Sequence, residues 1–156
     1  MNDEVINRNK NINRGYHKLE VRIEAIELYL FVKQKLNELK TVSFKVKAQV
    51  EDSIFSVHSN IAEGYCRRHL RENIQHNTIA LGSLGENYSQ TYALMRSNDI
   101  EREWFDKYDD KHYSLENKLI NYNKSQIKYL KENYEWRNDY SIKELISEYG
   151  LGDNEI

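Results

Sequence analysis

The chain runs for 156 residues without a single proline, and that absence constrains its fold more than any other feature. Proline interrupts helices, so a chain that does without it is free to form long continuous ones. Apolar residues recur at helical spacing to match. Val50, Ile54, Val57 and Ile61 repeat at intervals of four, three and four, the seam of an amphipathic helix that packs against neighbours. With 31% charged residues beside 39% hydrophobic ones, the expectation is a single all-α domain, large enough to bury a core without staples.

The pattern predicts four long helices and a short fifth. Residues 1–15 hold five asparagines and little apolar content beyond Val5, Ile6 and Ile12, so a mobile N-terminal arm is expected there. The first helix is predicted over residues 17–39, with Leu19, Ile23, Ile26 and Leu30 as one stripe and Leu28, Tyr29, Phe31 and Val32 adding apolar surface elsewhere on the cylinder. A helix apolar on more than one side needs more than one partner. The second is predicted over 44–65, with Gly64 as its stop signal, and residues 66–69 as the turn that follows. The third spans 70–97 and carries Ile74, Ile79, Leu81, Leu84, Tyr88, Tyr92, Leu94 and Met95. Its Gly82 and Gly85, which flank Ser83 and Leu84, cost about 1 kcal/mol each in a helix, so close approach of a neighbouring helix is expected there. The fourth spans 101–133, with Trp104, Tyr108, Leu115, Leu119, Tyr122, Ile127 and Leu130 as buried candidates. Ser141, Ile142, Lys143 and Glu144 form a capping box before Leu145, Ile146, Tyr149 and Gly150, which signals a short fifth helix that has to dock on something to persist. The organisation expected is an arm over 1–15, a bundle domain over 16–133 and a C-terminal extension over 134–156.

Charge and cysteine usage narrow the function. A net charge of −2 argues against non-specific coating of nucleic acid. The first fifty residues nevertheless hold ten Lys and Arg against six Asp and Glu, while residues 101–156 hold nine against thirteen. The single cysteine, Cys66, supports no disulfide framework, and no signal peptide or membrane span is legible, so a cytoplasmic location and no membrane partner are expected.

Several constellations were weighed as chemistry. Ser56, Asn60 and Glu63 share one helix face beside the apolar seam, and an architectural role follows because a buried amide or carboxylate left unpaired costs roughly 1–3 kcal/mol. His69 and His76 lie two turns apart, about 10 Å, too far for one ion, so no metal is expected. Cys66 beside Arg67 and Arg68 could have a lowered thiol pKa, yet no histidine–carboxylate arrangement accompanies it. The twelve tyrosines read as packing with hydroxyls at the rim. Arg67, Arg68 and Arg71 at a helix start are the best binding candidates, against the plainer reading of a solvated turn paired with Glu63 and Glu72.

Residues Ser56, Asn60-Ile61-Ala62-Glu63-Gly64, Arg67-Arg68, Ala80, Gly82, Ser83 and Glu86 together resemble the family of proteins encoded in 23S rRNA intervening sequences, whose relatives include the accessory variability proteins of diversity-generating retroelements. The resemblance covers residues 17–130, and Gln49 also fits its pattern. Asp52, His58, Cys66 and His69 depart from it, and Asp52 reverses a charge. The resemblance implies an antiparallel up-down four-helix bundle that assembles into a pentameric ring, with no catalytic residues and no cofactor. In the retroelement branch it implies binding to RNA and a reverse transcriptase through a basic surface. The function expected is a non-enzymatic oligomeric scaffold for RNA, a reverse transcriptase or both, in which Ser56, Asn60, Glu63, Gly64, Gly82, Ser83 and Glu86 are structural. The alternatives are a purely structural protein–protein assembly, or an enzyme with Glu63 or Glu86 as acid or base at an inter-subunit cleft.

Overall fold

The computed structural model describes residues 12–132. A 3-10 helix, Ile12–Lys18, leads into four α-helices: α1 Glu20–Glu38, α2 Phe44–Cys66, α3 Leu70–Arg96 and α4 Arg102–Lys131. The connections are short, which forces consecutive helices to lie antiparallel. The cross-helix contacts show that register directly. Ser53, Ser56 and Asn60 of α2 meet Asn87, Ser83 and His76 of α3 in descending order, and Tyr108, His112 and Asn123 of α4 meet Asn87, Leu84 and Asn77 in the same sense. The ring closes between α1 and α4, where Lys118 pairs with Glu20 and Glu24 and Lys35 pairs with Glu101 at 2.5 Å. Among the described residues there is no strand, and no helix is long and apolar enough to cross a membrane.

Local chemistry accounts for the helix ends. Ser43 caps α2 by accepting from the Val46 N–H. Asn98 ends α3 in the left-handed region at φ 63°, a conformation asparagine tolerates, and the Asp99 N–H then closes back on the Leu94 carbonyl at 2.9 Å. Arg68 takes the same conformation after α2, at φ 56°. Gly64, expected to stop α2, lies two residues inside it. A Cβ there would come within 2.6 Å of the His76 Cβ and 3.3 Å of the Asn73 backbone, so this glycine serves close approach of α2 and α3. Gly82 and Gly85 show the reverse, with nothing within 4 Å of either Cβ position. Their expected role in close packing is therefore not met by any described part of the chain.

The core is built from Val21, Ala25, Leu28, Val32 and Leu36 of α1, the predicted seam of α2, Ala80, Leu84 and Leu94 of α3, and Phe105, Tyr108, Leu115 and Leu119 of α4. This corrects the α1 stripe. Ile23 and Leu30 face outward, 43% and 55% exposed, while Leu28 is 2% exposed. The reason lies in continuity: the outer stripe would continue into Gln34 and Asn37, whereas the inner one continues to Leu36 and Leu39 along the whole helix. On α3, Ile79 and Tyr92 are likewise exposed. Trp104 and Tyr122 pack partly buried against the core, Ile127 and Leu130 are half-buried, and Phe105, absent from the expected set, is buried.

Two polar layers run through this core. Asn87 donates to the Val50 carbonyl and to Ser53 Oγ, each at 3.0 Å, and accepts from the Tyr108 hydroxyl at 2.8 Å. Asn77 donates to Asn73 and to Asn123. Residues 12–15, expected in the arm, belong to the 3-10 turn, and Gly15 lies against the Tyr65 side chain. The rest of the arm and the predicted fifth helix lie outside the described residues.

Candidate functional site

The polar face predicted on α2 becomes a ladder of side chains along the α2–α3 contact. Ser83 and Ser56 share a hydrogen bond between hydroxyls at 3.0 Å. Asn60 donates to the Ser56 carbonyl and to Ser56 Oγ, both at 2.9 Å, and its Oδ1 faces His76 Nδ1 at 3.1 Å. His76 Nε2 in turn lies 3.8 Å from Glu63 Oε1, and that oxygen accepts from Arg67 Nη2 at 2.7 Å. The motif residues Ser56, Asn60, Glu63, Gly64 and Ser83 are thereby brought together, with His76 as the link that sequence reasoning missed. A lone histidine within a helix carries no local signal; only the position of Asn60 one helix away gives it a role.

Glu86 goes elsewhere. It accepts from Gln90 and lines an open groove of about 260 Å³ with Gln49, Asp52, Ser53, Ser56 and Ser83. Glu63 is not among the groove's lining residues, and Arg67 and His76 hold its carboxyl below the ordinary carboxylate range. The two carboxylates considered as acid or base therefore do not converge on one space. Among the described residues, no group of three or more His, Cys, Asp or Glu side chains is placed to hold a metal ion.

The basic turn is divided in its electrostatics. Arg67 is half-neutralised, bonded to Glu63 and 3.9 Å from Glu72, as the plainer reading of the turn anticipated. Arg71 is exposed and makes no ion pair with any described residue. His69 precedes α3 without a side-chain cap, so the N-cap side chain leaves the first-turn N–H groups unsatisfied. The Cys66 thiol is pushed up by loss of hydration, which outweighs the opposing pull of Arg68 and Arg22. That reverses the lowered pKa considered for it, because the neighbouring guanidiniums compete with packing around the sulfur.

Aromatic side chains occupy the core and its rim. Trp104 stacks on Phe31 at 4.9 Å and on Tyr108 at 5.6 Å, and Tyr88 packs against Phe105 and His112. Burial raises the phenol pKa of Tyr108 and pushes that of Tyr122 up to about 12. On the outer side of α1 and α2, Tyr29, Phe55 and His58 form an edge-to-face cluster with centroids 4.6 to 5.9 Å apart. Phe55 is 49% exposed, so this cluster reaches the surface of the bundle.

No curated protein and no solved structure matches the chain. The family model of the 23S rRNA-intervening sequence proteins does match it, over residues 17–121. That span takes in α1, α2, α3 and most of α4, with the whole side-chain ladder and Glu86 inside it. By this match the chain belongs to the family of 23S rRNA-intervening sequence proteins.

Proposed function

We propose that this protein is a non-enzymatic scaffold that closes into a ring of identical copies through the outer face of α1 and α2, and that the ring presents its α2–α3 turns to RNA. The observation that carries the assembly is the outward stripe of α1. Ile23 and Leu30 lie on a helix whose core face is already filled, and Phe55 of the neighbouring α2 is exposed as well. Exposed apolar residues gathered on one face mark an interaction surface, where scattered ones need no explanation. A closed ring covers that face on every copy and so resists dilution.

The RNA half follows from repetition. One Arg71 beside one uncapped helix start is a weak anion contact, and the net charge of −2 opposes it. Several such turns on one assembly bind together with far greater avidity. Fluorescence anisotropy with a labelled single-stranded RNA should show binding that weakens steeply with salt, with a log–log slope of about −0.7 per phosphate neutralised. Arg71→Gln should flatten the slope and leave the oligomer intact. Absence of binding at low salt would leave a protein-only scaffold.

A further inference from the structure

We propose that protonation of His76 at Nε2 draws the Glu63 carboxylate away from Arg67, so that the basic turn binds anions more strongly in acid than in base. This rests on the anion-binding reading of the turn, and it adds the device that regulates it.

The hydrogen-bond ladder dictates which ring nitrogen is left without a hydrogen. The Ser56 backbone carbonyl can only accept, so the group facing it at 2.9 Å is the Asn60 amide nitrogen. Asn60 Oδ1 is then the atom that meets His76 Nδ1 at 3.1 Å. Two acceptors cannot bond each other, so Nδ1 carries a hydrogen and the neutral ring keeps its lone pair on Nε2. That lone pair faces a carboxylate oxygen, which explains a separation of 3.8 Å with no hydrogen bond. Adding a proton at Nε2 converts a repulsive contact into a charge-assisted donor.

The same oxygen, Glu63 Oε1, holds Arg67 Nη2 at 2.7 Å. One carboxylate thus stands between two cationic claimants. Glu63 is the partner free to move, since its side chain is 49% exposed against 17% for His76, and Asn60 together with the close approach at Gly64 holds the imidazole. Glu63 of α2 faces His76 directly, Arg67 of the turn is linked to it through Glu63, and Glu72, one turn earlier on α3, is linked through Arg67. Arg67 keeps its longer contact with Glu72 at 3.9 Å, which limits the release. The new imidazolium charge acts in the same direction, so the sign of the effect is common to both contributions.

Two readouts on the full chain test this separately from the anion-binding reading. RNA affinity, measured by anisotropy at fixed salt, should rise about three- to fivefold from about pH 8 to about pH 5.5, the scale of one exposed ion pair released. Glu63→Gln should reach the acid affinity already at the higher pH. His76→Gln should remove the increment apart from what His17 and His69 contribute; if that variant does not fold, Glu63→Gln carries the comparison. In the absence of RNA, NMR should show the Arg67 guanidinium N–H signal shifting with the His76 titration. An Arg67 signal indifferent to that titration, or a Glu63→Gln protein no tighter than wild type at the higher pH, overturns the proposal. Absence of RNA binding at every pH removes the anion-binding reading instead, and the NMR titration still decides whether His76 controls Glu63.

Discussion

The α2–α3 contact and the outer side of α1 are built on opposite principles. Between α2 and α3, small and polar side chains meet at close range: Gly64 against His76, Ser56 against Ser83, and Ser53 against Asn87 and Gln90. Nearly every group there finds its partner inside the chain. The outer side of α1 leaves Ile23 and Leu30 exposed, and α1 is joined to α2 there by exposed ion pairs such as Lys33 with Glu51. Exposed pairs of this kind contribute about 0–1 kcal/mol. One region closes on itself within a single copy; the other is the face through which the proposed ring would associate.

That contrast is broken most severely at Gly64. Gly64→Val should cost about 3 kcal/mol in denaturant unfolding, because the added atoms meet the His76 Cβ and the Asn73 backbone, and backbone cannot rotate away. Asn87→Ala should cost about 2 kcal/mol, since it removes the buried acceptor of the Tyr108 hydroxyl and one of the donors to the Val50 carbonyl and Ser53 Oγ. At Gly82, where a Cβ meets nothing within 4 Å, Gly82→Ala should raise stability by about 0.5–1 kcal/mol through helix propensity alone. A loss of stability there would show that a second copy packs against this glycine.

The smallest effect concerns pH. His58 sits among Tyr29 and Phe55, and burial, aided by Arg22, lowers its pKa from the ordinary 6.5. The unfolded chain therefore takes up this proton before the folded one. Stability present above about pH 6.5 is lost as pH falls toward the folded value. His58→Gln should remove that part of the acid sensitivity in thermal melts.

Much of the bundle was legible because helix periodicity and absent proline act locally. The seam of α2, the four helix spans and the bonding of Ser56 and Asn60 could all be reached from spacing. On α1 two apolar stripes compete, and only the continuation to Leu36 and Leu39 decides which one faces the core. Gly64 carried the same sequence signal as a helix stop, and its role depends on the backbone of another helix. The buried Asn73, Asn77, Asn87 and Asn123 were missed because asparagine reads as surface. Asn73, Asn77 and Asn87 stand in register with Ala80, Leu84 and Leu94 on α3, and Asn123 with Leu115 and Leu119 on α4, which was the available signal.

The measurement that bears most directly on the account compares two aspartate substitutions two residues apart on α1. Leu28 is 2% exposed and Leu30 is 55% exposed, so one belongs to the chain's own core and the other lies on the face proposed to associate. Sedimentation equilibrium at micromolar concentration, paired with circular dichroism, should show an oligomeric wild type, a folded monomeric Leu30→Asp, and an unfolded Leu28→Asp. A monomeric wild type, or a Leu30→Asp protein that keeps the wild-type mass or unfolds, would contradict the division between inner and outer faces.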